Sequence, residues 1–464
     1  MTGLTLVALV ASGAFLRLWN VGTSRLNYDE SFTAMAGRRS FSQLVSYLSA
    51  NDSHPPLDYL LHAPLARAGV DEFWFRFPSV VFSVAAIALL AWWLRDRPIV
   101  AIVATALMAF APFQLIHGRE ARMYAELEFL GVAIAFVADR WVHHPRTRHS
   151  VMLGGLVAAG FFTHVSMFLL AAGLLALAGR RRDRAAWEWR GAIGVALLAW
   201  IVAWAPVFLV QARGGHSSWI PHTTPSTLVH ALGSAISSPI AILVVAATIA
   251  GITLLVRRRD PLGRVTVCLY AIPVALGAIA GLAVPVVIDR TFTLIAWVPA
   301  LAIGVLIDTV ATRERAAAAG IALAGLAVVA TGVPAVVTGH TGPDTPLRVV
   351  GAHLRTGDIV AVRPASKAPE LQWSLGVRRF PDSEPVTLHG RHSTYALRVG
   401  DGRPTGRIWL IDWHRFGRPR SWGNESCHRT VAWRATSVRC IESDPLPRTL
   451  LAASTAPATG RTPG

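Results

Sequence analysis

The feature that most limits this chain is a succession of apolar runs close to twenty residues long. They lie at about 4–21, 79–94, 98–117, 124–142, 191–211, 233–256, 265–287, 292–310 and 316–338. An α-helix rises 1.5 Å per residue, so roughly 20 apolar residues cross the ~30 Å hydrocarbon layer of a bilayer. Composition agrees: 53% of residues are hydrophobic and 15% charged, with a mean hydropathy of +0.45, where soluble domains carry about 25% charged residues. The expected fold class is an all-α polytopic membrane protein.

One further apolar stretch, 151–179, is too long for a single untilted span, and Phe162-Thr163-His164 in its middle is polar enough to turn. Arginine placement decides how to read it. With two short spans there, and the N-terminus inside, the chain has about eleven transmembrane helices. The inner loops then hold Arg95 and Arg97, Arg140, Arg146 and Arg148, the run Arg180-Arg181-Arg182-Asp183-Arg184, the run Arg257-Arg258-Arg259, and Arg313 and Arg315. The short outer loops hold Arg119, Arg122, Arg213 and Arg290. A single span at 151–179 would put both triple-arginine runs outside, against the rule that basic short loops stay in the cytoplasm. The first stretch, Leu4–Val21, has no basic residues before it and reads as a retained span rather than a cleaved signal.

The formal charge of +17 is accounted for by these loops and by anionic lipid headgroups; a nucleic-acid partner would need a basic stripe on a soluble face. All basic residues but Lys367 are arginine, as GC-rich bacterial coding produces. Residues 1–340 are expected to form the transmembrane domain, with 22–78 as a long first outer loop. Pro55-Pro56 breaks that loop before an interfacial helix over Leu57–Ala68. Residues 341–449 are expected to form a small extracytoplasmic α/β domain, with strands over Ile359–Val362, Ile408–Trp413 and Thr430–Trp433 and a helix around Pro346–Leu354. The 450–464 segment, rich in Ala, Thr, Pro and Gly, reads as a disordered tail. Cys268 lies in an apolar run as a small buried hydrophobe, whereas Cys427 and Cys440 are close enough to close a short disulfide loop or to remain two free thiols.

Polar residues carry most information where a membrane makes them costly. On this topology one face collects Asp29-Glu30, His54-Pro55-Pro56-Leu57-Asp58-Tyr59, Asp71-Glu72 with Arg76, His117-Gly118-Arg119-Glu120-Ala121-Arg122-Met123-Tyr124, His164 and Asp289-Arg290. Carboxylates suited to general-base work stand beside arginines suited to a phosphate. Arg119 and Arg122 are three apart, so one helical turn would give them a common face. Taken singly, most of these residues also fit an ordinary polar loop, and His164 fits an interhelical hydrogen bond. Their order along the chain is what distinguishes them.

That order, Asp-Glu after the first span, His-Pro-Pro-Leu, Glu72 with Arg76 and Pro78-Ser79, then Arg-Glu-Ala-Arg-Met-Tyr, resembles the GT-C superfamily. More narrowly it is similar to glycosyltransferase family 39 and its relatives, the protein O-mannosyltransferases and the transferase that adds aminoarabinose to lipid A. The motifs cover residues 1–130 and the layout covers 150–340; the tail matches no motif. The resemblance implies a multi-pass plasma-membrane enzyme with an extracytoplasmic active site. It would move a sugar, mannose or arabinofuranose, from a polyprenyl-phosphate donor to a protein, lipid or glycan acceptor with inversion. It implies Asp29 as catalytic base, supported by Glu30 and Glu72. It implies Arg119, Arg122 and Arg290 on the donor phosphate, and His54, Tyr124, His164 and Asp289 lining the cavity. Asp58-Tyr59 departs from the family, where an aromatic or apolar residue is more usual. Divalent metal use varies among such enzymes and stays open here. The other readings are a transporter or flippase for a lipid-linked sugar, which would favour charges at mid-membrane and an internal repeat, and a polysaccharide polymerase or ligase with a late outer loop.

Overall fold

The structure, a computed structural model, describes residues 2–179, 181–215, 220–314, 325, 333, 354–363, 368–377, 379, 382–388, 395–400, 407–412, 430–433, 436–442 and 451–453. The expected span at 316–338 apart from residues 325 and 333, the expected helix over Pro346–Leu354 apart from Leu354, and Cys427 lie outside the described residues, and Cys440 is described by its backbone alone. Helices in chain order are α1 Thr2–Leu18, α2 Tyr28–Gly37, α3 Phe41–Asn51, α4 Leu57–Ala68, α5 Glu72–Leu94, α6 Pro98–Phe110, α7 Pro112–His117, α8 Tyr124–His143 and α9 Thr147–Thr163. They continue with α10 Met167–Ala178, α11 Arg184–Ala203, α12 Ala205–Arg213, α13 Pro225–Gly233, α14 Ala241–Arg257, α15 Pro261–Thr266, α16 Ile272–Ala283 and α17 Trp297–Ala311. The chain divides into two compact units, one of 1–22, 40–62 and 73–340, the other of 23–39, 63–72 and 341–464.

The first unit is a helical bundle in which α9 packs on α11 and α8, and α6 on α17 and α1. Among the described residues four helical stretches are long and apolar enough to cross a bilayer: Glu72–Leu94, Arg184–Ala203, Ser238–Arg257 and Pro261–Ala283. A further pair, Asp289–Ile295 and Trp297–Ala311, would cross as one span bent by 64°, and Thr2–Leu18, Pro98–Phe110 and Met167–Ala178 are shorter apolar helices. The 151–179 stretch is broken where its polar centre lies: α9 ends at Thr163 and α10 begins at Met167.

Other apolar runs are broken too. The 98–117 run splits into α6 and α7 at Pro112, which has no N–H to offer the Met108 carbonyl one turn back. Arg17, fully buried near the end of α1, replaces the missing donors. Its Nη2 donates to Met108 O (2.9 Å) and its Nη1 to Ala109 O (2.9 Å), while Nε donates to the Ser83 hydroxyl on α5 (2.7 Å). A charged side chain inside the bundle thus satisfies backbone that lipid could not. The 191–211 run similarly divides at Trp204 into α11 and α12.

Aromatic side chains mark two levels on this bundle. Trp74 and Phe77 are exposed at the start of α5, and Trp92 is exposed near its end under the Arg95 guanidinium, 5.0 Å above the ring. Eighteen residues of helix separate Trp74 from Trp92, about 27 Å at 1.5 Å per residue, close to the spacing of the two aromatic belts of a bilayer. At the Trp92 end Phe136 of α8 packs on Trp92 and Trp93 with Arg140 over its ring, and Trp93 Nε1 donates to Asp139 (3.0 Å). The same end carries the Arg97–Asp260 ion pair, bidentate at 2.5 and 3.0 Å. The opposite end of α8, at Tyr124, follows directly on Arg119 and Arg122.

The second unit holds a seven-stranded sheet made of β1 Ile359–Arg363, β2 Glu384–Leu388, β3 Tyr395–Arg398, β4 Arg407–Asp412, β5 Thr430–Trp433, β6 Thr436–Glu442 and β7 Leu451–Ala453. Its order is β5-β6-β4-β1-β3-β2-β7, with β1 parallel to β4 and the other pairs antiparallel. Alternate residues of β1, Val360 and Val362, form a core with Leu371, Leu375, Leu397 and Val399. The sequence reading put 451–453 in a disordered tail; here they pair with β2, whose edge an apolar Leu-Ala-Ala run is suited to cover. Also in this unit, α2 approaches the second half of α4 closely at Gly37, where a Cβ would lie 3.1 Å from Ala63 Cα, and Arg38 Nη1 donates to Ala66 O (2.9 Å).

Candidate functional site

Four segments of the bundle carry the polar residues singled out by sequence: the 52–62 segment, the α7–α8 turn, the α9–α10 break and the turn Asp289–Ile295. The last is held against α8 by close approach at Gly131, whose missing Cβ would fall 1.9 Å from Leu294 O. Arg290 lies 5.4 Å above the Tyr124 ring, and Tyr124 in turn packs on His117 (4.8 Å), which meets Glu120 at 3.1 Å. Asp289 borders a small hollow lined mostly by apolar side chains, Phe113, Ala235, Phe292 and Ala296 among them, with Tyr270.

The break between α9 and α10 puts His164 against His54, with ring centroids 4.8 Å apart. The Ser166 amide donates to His164 Nδ1 (3.0 Å), so the proton of this imidazole is on Nε2. Burial, His54 and the Arg122 charge hold His164 well below the usual imidazole range. Burial, then Arg122 and Arg290, push His54 down to about 3. Both rings are therefore neutral at physiological pH, and the charge in this region belongs to the arginines.

Arg122 donates through Nη1 to the Tyr59 hydroxyl (3.0 Å) and lies 5.7 Å from the centre of that ring. Tyr59 is fully buried and donates to Asp52. One turn further along α4, His62 Nδ1 meets Asp58 Oδ1 at 3.3 Å, and Thr163 Oγ1 donates to Glu126 (3.1 Å) nearby. Asp52 and His62 are absent from the sequence reading, and Tyr59 and Glu126 were assigned no role in it. The Asp58–His62 pair was legible as an i,i+4 spacing on a helix; the Asp52–Tyr59 bond crosses a proline turn and was not.

Arg119 makes different contacts from Arg122. It is 1% exposed, and its Nη2 donates to Trp19 O (2.6 Å), just beyond α1. Its Nε and Nη1 are buried with no hydrogen-bond partner among the described residues. Burial and the nearby Arg76 lower its guanidinium to about 10, which leaves it charged at neutral pH. Arg76 itself donates to Val21 O (2.6 Å). Two open N–H groups on a charged, buried guanidinium are able to donate to an anion.

The carboxylates expected to act as base and support lie in the second unit. Asp29 is half-buried in the first turn of α2, and Glu72 is the first residue of α5. Glu30 is committed elsewhere: its carboxylate accepts from Asn27 N (2.9 Å) while Asn27 Oδ1 accepts from Glu30 N (2.9 Å), a reciprocal cap on α2. Among the described residues no group of three or more His, Cys, Asp and Glu side chains is placed to hold a metal ion.

The fold, a bundle of broken helices and a separate small sheet, is shared with solved membrane-protein structures. No protein-family model matches the sequence, and no curated protein matches it. Solved structures do. ArnT from Cupriavidus metallidurans in the apo state superposes with a TM-score of 0.58 at 13% identity, over 95% of this chain and 98% of its own. ArnT bound to undecaprenyl phosphate gives the same score and identity over 94% and 97%. An oligosaccharyltransferase from Archaeoglobus fulgidus, in complex with zinc and sulfate, gives 0.48 at 14% identity over 72% and 53%. The fold implied by the resemblance read from four short motifs is met in the two ArnT structures.

Proposed function

We propose that this protein is a membrane glycosyltransferase that moves a sugar, mannose or arabinofuranose, from a polyprenyl-phosphate donor to an acceptor outside the cytoplasm. The observation that carries the reading is Arg119, buried and charged with two unsatisfied donors, in a fold one of whose solved members holds undecaprenyl phosphate. Polyprenyl phosphate is already a good leaving group. Its departure needs cationic stabilisation, and Arg119, Arg122 and Arg290 would supply it. The acceptor hydroxyl attacks the anomeric carbon as the bond to the phosphate oxygen breaks, with inversion, and Asp29 takes the hydroxyl proton. The capping role of Glu30 favours its neighbour Asp29 as the base and leaves Glu30 and Glu72 as supports.

The orientation belongs to the same proposal. About eleven spans cross the membrane, the Trp92 end with Arg95, Arg97 and Arg140 faces the cytoplasm, and the arginines of the α7–α8 turn face outward. Residues 1–340 form the catalytic domain with 22–78 as its first outer loop, and 341–449 a small extracytoplasmic domain. Reporter fusions after Arg184 and Arg259 are expected to be cytoplasmic and one after residue 345 extracytoplasmic; a cytoplasmic tail would overturn this placement. Function is tested by incubating membranes with a panel of labelled polyprenyl-phosphate sugars. One sugar should be transferred by wild type and not by Asp29→Asn. Transfer of none, or of the same sugar by both, refutes the reading.

A further inference from the structure

The contacts of Tyr59 are unusual for a tyrosine on an interfacial helix. The residue is wholly buried, and its hydroxyl has both its roles fixed: it donates to Asp52 and accepts from Arg122 Nη1 (3.0 Å). The first role determines the second. With the phenolic proton turned toward Asp52, the oxygen presents lone pairs to the guanidinium, and the ring beneath it adds a cation–π contact at 5.7 Å. Burial, ahead of every neighbouring charge, raises the phenol well above its ordinary range, so the hydroxyl keeps its proton throughout the physiological range.

Asp52 is itself anchored. It closes α3, its backbone N–H donating to Leu48 O (3.1 Å), and Ser53 N donates to its Oδ1 (2.7 Å). Gln211 of α12 then ties this turn down, donating from Nε2 to Leu48 O and to His54 O, both at 3.2 Å. A continuous chain of bonds therefore runs from α12 through the α3–α4 turn to Asp52, Tyr59 and Arg122.

We propose that Tyr59 is a positioning residue for anion recognition: with Asp52 as its acceptor, it fixes the guanidinium plane of Arg122 for the phosphate of a polyprenyl-phosphate ligand. This rests on the proposed function. Arginine's use at a phosphate depends on the direction of its planar fork, not only on its charge. A hydrogen bond at one Nη together with the cation–π contact to the same residue leaves that fork little freedom.

The test is binding of undecaprenyl phosphate to the full-length protein in nanodiscs, with thermal stability measured on the same samples. Tyr59→Phe deletes one oxygen and keeps the ring. It should weaken binding ~10-fold, the scale of one hydrogen bond to a charged group. The double variant Tyr59→Phe/Arg122→Ala should bind no more weakly than Arg122→Ala alone. Asp52→Ala leaves the phenol free to turn its proton toward Arg122 and should weaken binding likewise, which keeps the test open if Tyr59→Phe does not fold. Wild-type affinity in Tyr59→Phe, or losses that multiply in the double variant, overturns the positioning role while leaving the glycosyltransferase reading intact. Failure of wild type itself to bind undecaprenyl phosphate overturns both.

Discussion

Arg119 gives the sharpest separation between a ligand-binding and a structural reading. Replacing it by Met keeps most of the side-chain volume and removes the charge. In the ligand-free protein the buried Nε and Nη1 have no partner among the described residues, so their removal relieves a desolvation cost; only the Nη2 bond to Trp19 O (2.6 Å) is lost. These contributions oppose one another, each of about 1–3 kcal/mol, and the thermal midpoint without ligand should move by no more than a few degrees. With a phosphate bound, the two open groups become charge-assisted hydrogen bonds worth ~1.5–3 kcal/mol each. At the lower end that is ~3 kcal/mol together, or ~10²-fold in Kd. Arg119→Met should therefore lose roughly that factor in undecaprenyl phosphate affinity and in donor KM, and should lose the ligand-induced rise in midpoint. Arg119→Lys should recover the charge but not both bonds, and fall between. A large drop in the ligand-free midpoint with unchanged affinity would make Arg119 a clamp on the end of α1 and nothing more.

Three further outcomes are expected. Asp29→Asn should leave expression and ligand binding intact and lower turnover by ~10²-fold or more, the usual scale for a general base, while Glu30→Gln should cost mainly stability of α2; the reverse pattern in single-turnover assays would reassign the base. Arg17→Met should strand the Met108 and Ala109 carbonyls at a proline break, destabilising the bundle by ~2–6 kcal/mol at about 1–3 kcal/mol for each unsatisfied buried acceptor, read as accelerated thermal inactivation in detergent, and a midpoint equal to wild type would refute the clamp. For His62, burial lowers the imidazole pKa, but the Asp58 charge and its hydrogen bonds outweigh burial and raise it overall. Its stabilisation is thus full below the unfolded value of ~6.5 and is lost as pH rises through the raised folded value, so the midpoint should fall from pH 6 toward alkaline pH in wild type and show a flatter profile in Asp58→Asn.

What the sequence discloses and what it hides follow the same physical line. Local rules held where the chain decides by itself: Pro55-Pro56 starts α4 at Leu57, the Phe162-Thr163-His164 segment breaks an overlong apolar stretch, and the mostly β-branched run at 359–362 forms β1. The Asn27 and Glu30 cap was also local, and legible as a three-residue spacing, yet a motif match alone draws both acids of an Asp-Glu pair into the chemistry. Long-range partners were not legible. Arg17 lies 91 and 92 residues from the carbonyls it serves, and Arg122 lies 63 from Tyr59; no periodicity announces such pairings. The distinction bears on function, because an arginine's meaning depends on what remains unbonded after the fold has taken its share. All three guanidinium nitrogens of Arg17 are engaged, Nη1 and Nη2 with backbone carbonyls and Nε with the Ser83 hydroxyl, whereas Arg119, just as buried, retains two donors. Hydropathy and spacing treat both as costly charges in an apolar setting. Only their partners separate a residue that completes the bundle from one with donors to spare, and that difference supports the proposal, first implied by the resemblance, that the donor phosphate lies at the α7–α8 turn.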